Sequence, residues 1–313
     1  MVTGGPAARL TYLGYRTASA IALALPEPVA RSAAGLTGRV LGGSMRGRRA
    51  MLERHVRRVL GPDAGEREVR RTVAAAFESY GRYWLEAFRL PKETPGSLDA
   101  HLEVEGLELV DEAMARGRGV IIAAPHIGNW DLGGAWFAAH GYRPATVAEP
   151  IEPPELFEWF CRYRRDLGLE VVALDDGAGG AMLRVLREGR MVGLICDRDL
   201  GRAGVPVDFF GEATTLPGGP ATLALRSGAP ILAAAVFFRP GGRHLCVVRP
   251  PVPTDRRGSV REDVARITQD LAHELEGLIR RAPEQWHMLQ PNWPSDFGDA
   301  SVGVPPKRRR PAA

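Results

Sequence analysis

The chain has 313 residues, 45% apolar and 25% charged, with a formal net charge of only +4. These are the proportions of an ordinary soluble globular protein with one large core or two small ones; the charge is too weak to argue for nucleic acid, yet suits an anionic membrane surface or a phosphate-bearing ligand. The three cysteines, Cys161, Cys196 and Cys246, are widely spaced with no CxxC pair, which excludes a disulfide framework and a zinc knuckle and fits a reducing cytosol.

Residues 1–60 are rich in Ala, Leu, Gly and Arg. Leu10, Leu13, Thr17, Ile21 and Leu25 fall at near-helical spacing, and Val29, Ala33, Leu36 and Val40 continue the pattern beyond Pro26 and Pro28. Two short amphipathic helices are predicted, which either pack onto the domain or lie on anionic lipid with arginines at their rim. A strongly basic helix over 46–58 follows, either a solvated face or part of the same membrane-facing surface. No run approaches the roughly twenty apolar residues of a spanning helix, and residues 18–25 lack a signal-peptide layout, so neither a transmembrane helix nor export is expected.

Residues 69–90 read as a long helix with an aromatic stripe of Phe77, Tyr80, Tyr83, Trp84 and Phe88, suited to core packing or to lining an apolar groove. A helix over 106–116 leads to an apolar strand at 120–124. Beyond it, helices at 129–140, 153–167, 178–188 and 217–226 alternate with strands at 145–148, 170–174 and 192–196. Strands at 231–238 and 244–249 and a long helix at 260–281 close the pattern. Such alternation predicts an α/β fold with a mostly parallel central sheet flanked by helices. The expected organisation is a helical membrane-associating region (1–60), a main domain (61–298) and a basic disordered tail (299–313).

The candidate chemistry sits where the 120–124 strand meets the next helix, in Pro125-His126-Ile127-Gly128-Asn129-Trp130-Asp131. Five residues is a poor spacing for two groups on one face of a uniform helix. With His126 on the turn and Asp131 in the helix's first turns, however, the carboxylate is able to fold back onto the imidazole as base and orienter. A lone His near an Asp is more commonly a cap or a satisfied polar contact, and its place between strand and helix is what raises the catalytic reading. Other chemistries lack their motifs: there is no G-x-S-x-G, P-loop, H-E-x-x-H or G-x-G-x-x-G. The run 175–180, acidic and Gly-rich, reads as a flexible turn. No metal cluster is apparent, which leaves His126 as the best-supported general base.

An H-x4-D histidine on an Arg-rich α/β chain resembles the glycerolipid acyltransferase superfamily, and more closely the bacterial lauroyl/myristoyl lipid acyltransferases. The residues that carry this are Cys196-Asp197-Arg198-Asp199-Leu200, Val207-Asp208-Phe209-Phe210-Gly211 and Pro217-Gly218-Gly219-Pro220. Within that group the chain is similar to the phosphatidylinositol mannoside acyltransferases, through Tyr83-Trp84-Leu85-Glu86-Ala87-Phe88, Thr146-Val147-Ala148-Glu149, Tyr163-Arg164 and Trp286-His287-Met288-Leu289-Gln290-Pro291.

The resemblance implies transfer of a long acyl chain, palmitoyl above all, from acyl-CoA to a mannose hydroxyl of a mannosylated phosphatidylinositol, at the cytoplasmic face of the cell membrane. Another glycolipid or glycerol phosphate is the alternative acceptor; a lipid-binding protein without catalysis is the reading from a different class, and the intact His126 and Asp131 oppose it. His126 would be the base, Asp131 its orienter and Asp197 the second acidic site residue, one methylene shorter than the glutamate the family often carries there. Acyl-CoA would be held by His126, Arg164, Ala203 and Arg226, and the acceptor cleft formed by Glu149, Arg198 and Asp199; salt bridges are the alternative role for Arg198 and Arg226. Acyl-CoA is then a substrate, with no cofactor and no metal.

Overall fold

The computed structural model describes residues 5–199 and 201–297, so the predicted basic tail lies outside the described residues. The chain opens with four helices: α1 (Pro6–Ala24), α2 (Glu27–Ser44), α3 (Arg46–Leu60) and α4 (Glu66–Arg89). The body follows as α5 (Pro95–His101), β1 (Leu102–Glu105), α6 (Leu107–Ala115), β2 (Val120–Ala124), α7 (Trp130–Ala139), β3 (Ala145–Ala148), α8 (Pro154–Asp166), β4 (Glu170–Ala173), α9 (Ala178–Arg187) and β5 (Met191–Ile195). It ends with β6 (Val205–Phe209), β7 (Glu212–Leu216), α10 (Gly219–Ser227), β8 (Ile231–Phe238), β9 (His244–Val252) and α11 (Val260–Arg281).

Seven strands form one sheet in the order β1-β9-β8-β2-β5-β3-β4. Every ladder is parallel except β8 with β9, whose connection is too short for a crossover and returns as a hairpin. β8 is buried on both faces and is accordingly an unbroken apolar run, Ile231-Leu232-Ala233-Ala234-Ala235-Val236-Phe237-Phe238. Side-chain alternation sends Ile121, Ala123, Ala233 and Ala235 to a core shared with α9, α10 and α11. It sends Ile122, Ala234, Val236 and Met191 to a second core under α6 and α7.

The α/β sheet is therefore as expected, with four short elements that the sequence reading passed over. β1 is a four-residue edge strand in which Leu102 and Val104 alternate with glutamates, too short for its period to stand out. α5 is short and is held by a capping box between Thr94 and Ser97. β6 and β7 form a separate antiparallel hairpin turning at Phe210 (φ 58) and Gly211 (φ 74), the left-handed pair that a two-residue hairpin turn requires.

The first 60 residues are not uniform. α3 is built into the body: Leu52 and Val56 pack with Val69, Val73 and Phe77 of α4, and the fully buried His55 bonds the Met288 carbonyl (2.8 Å) and Asp296 (3.1 Å). α2 lies close along α4, and a Cβ at Gly38 would stand 2.2 Å from the Phe77 carbonyl oxygen. α1 and α2 instead leave Leu10, Leu13, Ile21, Val29, Leu36 and Val40 exposed, Leu10 by 70% and Val40 by 62%. No described helix is long and apolar enough to cross a membrane.

Candidate active site

β2 and β5 are adjacent and parallel, with Ala124 in register with Ile195. Both strands end there, so the segments leaving them meet at the carboxyl edge of the sheet, the usual ligand side of such a sheet. His126 leaves β2 and Asp197 leaves β5. Although 71 residues apart in sequence, they form the tightest polar pair of the site: His126 Nδ1 lies 2.6 Å from Asp197 Oδ1. The buried carboxylate accepts two further hydrogen bonds at Oδ2, from the His126 backbone N–H (2.9 Å) and from the Trp286 indole N–H (2.7 Å). Burial alone would push the Asp197 carboxyl up; the His126 charge and these donors outweigh it and hold the carboxyl below its usual range. An ionised Asp197 fixes the Nδ1–H tautomer and leaves the lone pair on Nε2, which bonds no described residue, in a histidine of the cleft wall.

The turn around His126 is clamped from two sides. Gly128 has φ +59, and a Cβ there would lie 1.8 Å from the Val236 carbonyl oxygen, so only glycine fits where the turn crosses β8. The segment 285–287 runs antiparallel to it: the Gly128 N–H donates to the Gln285 carbonyl (2.9 Å) and the His287 N–H to the His126 carbonyl (2.8 Å). Asn129 caps α7 by accepting from the Leu132 N–H and donates its own amide to Glu86 (3.0 Å). Burial opposes ionisation of Glu86, but His244 and Arg82 pull its pKa down to about 2.

Asp131 does not take the place predicted from H-x4-D. It is the first-turn carboxylate of α7, buried, and makes no hydrogen bond to His126. Its oxygens accept instead from the Tyr83 hydroxyl (2.8 Å) and the Arg164 Nε (2.9 Å). The hydrogen bond to Nδ1 goes to Asp197 because the neighbouring strand end brings that carboxylate in line with it, whereas α7 rotates Asp131 toward α4 and α8. The shorter side chain of Asp197, compared with glutamate, still closes the contact.

The remaining predicted residues divide. Arg164, Glu149, Arg198, Asp199 and Arg226 all line a cleft of about 750 Å³ that also contains His126 and Asp131. Arg198 pairs with Glu149 at 2.9 Å, while its Nε is buried without a partner among the described residues. Arg226, on α10, makes no ion pair or hydrogen bond to any described residue. Asp199 organises its own loop, accepting from the Gly204 N–H (2.7 Å) and the Thr215 hydroxyl (2.8 Å). Ala203 is exposed on that loop and is not part of the cleft wall. The aromatic stripe of α4 serves both predicted ends: Phe77 and Phe88 are buried in the core, while Tyr83 and Trp84 reach the cleft. Among the described residues no three His, Cys, Asp or Glu side chains converge as a metal site.

Sequence reasoning missed the supporting roles of Trp286 and Glu86. Both stood in segments singled out for their pattern, yet nothing in their spacing indicates which polar atom each one holds.

His287, next to Trp286, is buried and bonded through Nε2 to the Ser79 hydroxyl (2.9 Å); burial, then the nearby His126 charge, pushes its pKa down to about 3. It is a neutral packing group, and its effect on stability has a definite sign. Below about pH 6.5 the unfolded chain protonates this histidine and the native protein does not, so stability falls with pH until about pH 3. By pH 4.5 roughly 2–3 kcal/mol should be lost through this group. Urea midpoints measured from pH 7 to 4.5 should fall less steeply for His287→Gln than for the wild type; parallel slopes would refute the assignment.

A histidine bonded to a buried carboxylate thus stands at the strand ends of an α/β sheet, in the wall of a large and mainly apolar cleft. Residues 6–295 match the family described as bacterial lipid A biosynthesis acyltransferase. The chain belongs to that family and is an acyltransferase. It is 38% identical over 296 residues to the phosphatidylinositol mannoside acyltransferase of Mycolicibacterium smegmatis, covering 93% of this chain and 94% of that protein. It is 39% identical over 283 residues to the protein of the same name from Mycobacterium tuberculosis, covering 88% and 86%. The lipid A biosynthesis lauroyltransferase of Escherichia coli is more distant, 27% identical over 285 residues and 90% of each chain.

Proposed function

We propose that this enzyme transfers a long acyl group, palmitoyl above all, from acyl-CoA to a mannose hydroxyl of a phosphatidylinositol mannoside. The observation that carries the reading is the His126–Asp197 pair, its free Nε2 placed in the wall of a cleft with far more apolar than polar lining. The acceptor is inferred from the two relatives that share the chain nearly end to end.

In this mechanism Nε2 takes the proton of the mannose hydroxyl as its oxygen attacks the thioester carbonyl. Asp197 stabilises the imidazolium through Nδ1–H. The tetrahedral intermediate then expels the CoA thiolate, and the imidazolium returns the proton to sulfur, so no cofactor and no metal takes part. Transfer is direct. Cys196 lies beside the pair, but burial, and then the Asp197 charge, push its thiol far above the usual range, which disqualifies it as a nucleophile carrying an acyl-enzyme. Arg226, without a counter-charge among the described residues, and the Arg164 Nη1, which Asp131 leaves unengaged, are the groups offered to the phosphates and the thioester oxygen of the donor.

Donor and acceptor are both amphiphiles, and the exposed apolar side chains of α1 and α2 give the enzyme a surface that rests on the cytoplasmic leaflet, with the exposed Arg46 and Arg48 at the start of α3 toward anionic headgroups. The decisive assay supplies palmitoyl-CoA with a panel of acceptors in anionic vesicles and follows CoA release and product mass. Release with mono- or dimannosylated phosphatidylinositol is expected; release only with glycerol phosphate or another glycolipid would reassign the acceptor, and release with none would refute the reading. In the same vesicles Leu10→Asp/Leu36→Asp should sediment less with lipid than the wild type, and equal sedimentation would remove the membrane surface from the account.

A further inference from the structure

The cleft follows both faces of the sheet around the strand ends. On the α7 and α8 face its floor is made by side chains that alternate along parallel strands: Ile122 and Ala124 of β2, and Met191, Gly193 and Ile195 of β5. Gly133, Gly134, Phe137 and Leu169 form the opposite wall. In the middle of this floor stands Gly193, on a central strand with neighbours on both sides, Ile122 of β2 and Thr146 of β3. Glycine weakens a strand interior, and here its conformation does not require it. Gly133 and Gly134, in the facing helix, are filled against protein: a Cβ at Gly133 would stand 2.7 Å from Val236, and one at Gly134 would stand 3.1 Å from Leu169. A Cβ at Gly193 would meet nothing within 4 Å. The missing side chain therefore leaves cleft volume, not room for a neighbour.

We infer that Gly193 sets the acyl length the enzyme accepts, by leaving open the deep part of the channel on this face. Its strand partner Ile122 lies four residues before His126, about 13 Å along the strand at 3.3 Å per residue. An acyl chain whose thioester sits at His126 thus passes over Gly193 partway down, and Met191 lies beyond it in the same floor. A long side chain at 193 would end the channel there, stopping the chain several methylenes short. Each excluded methylene forfeits roughly fourfold in affinity.

The inference rests on the acyl-CoA reading above, and its test separates the two. Wild type, Gly193→Ala and Gly193→Met are assayed with saturated acyl-CoA donors of graded length, and the same proteins are titrated with the corresponding free fatty acids while thermal stability is followed. Gly193→Met is expected to lose at least about 100-fold in kcat/KM for palmitoyl-CoA, to keep near wild-type values for the shortest donors, and to show the same shortening in fatty-acid stabilisation. Gly193→Ala should shift the optimum in the same direction by less, and it adds only a methyl group that meets no atom. An unchanged length optimum, or an equal loss at every length, would overturn the inference, because the chain would then run along the α9 and α10 face. A wild type that transfers from no donor would refute the functional reading instead, and the fatty-acid titration would still decide the role of Gly193. Should Gly193→Met fail to fold, the Gly193→Ala series decides it.

Discussion

Asp197→Asn is expected to lower kcat by about 10³ to 10⁴-fold with little change in KM, close to the loss on removing the base itself in His126→Ala. The reason lies in how the carboxylate is held. Two donors, the Trp286 indole and the His126 backbone N–H, point at Oδ2. In an amide the oxygen must occupy that position, since the NH₂ group there would face two donors. The NH₂ then faces Nδ1 and donates to it, driving the imidazole proton onto Nε2, where the hydroxyl must be deprotonated. The geometry survives while the base is lost, and raising the pH does not restore it. Steady-state kinetics beside a circular dichroism melt would check this: a variant retaining more than about a tenth of wild-type kcat would exclude Asp197 as the partner of His126.

Asp131→Asn should act differently, on stability and on donor affinity before chemistry. Asp131 is buried and is the counter-charge of Arg164, whose side chain is 22% exposed. Truncating one partner of a buried pair costs about 3–5 kcal/mol, and the partial exposure of Arg164 places this case near the lower end. The Tyr83 hydroxyl, which donates to the same carboxylate, retains an acceptor in the amide oxygen, so the loss falls on the guanidinium. The expected result is a lower denaturation midpoint together with a raised KM for acyl-CoA, since Arg164 then loses its fixed position. A variant as stable as the wild type but with kcat lost as in Asp197→Asn would restore Asp131 to the role that its spacing alone suggested.

Much of this protein is local and could be read in the sequence. The alternating strands and helices follow from hydrophobic periodicity, and the long unbroken run of β8 announces a strand covered on both faces. The place of His126 between β2 and α7 is equally local, because Pro125, Gly128 and the cap at Asn129 fix a turn within a few residues. The elements that escaped, β1, α5 and the β6–β7 hairpin, are those too short for a period to emerge from a few residues.

Which carboxylate serves the histidine was not local. H-x4-D offered the acid nearest in sequence, yet one turn of α7 carries Asp131 away toward Tyr83 and Arg164. The acid that meets Nδ1 comes from a strand 71 residues later, and it does so because β5 was inserted beside β2 with Ala124 and Ile195 in register. The indole that holds that acid arrives from beyond α11. Sequence alone determined that a histidine stood at a strand end. Only the strand order decided its partner, since hydrogen bonds between side chains depend on distance in space, and in a parallel sheet the chain must leave and return before two strand ends can lie side by side.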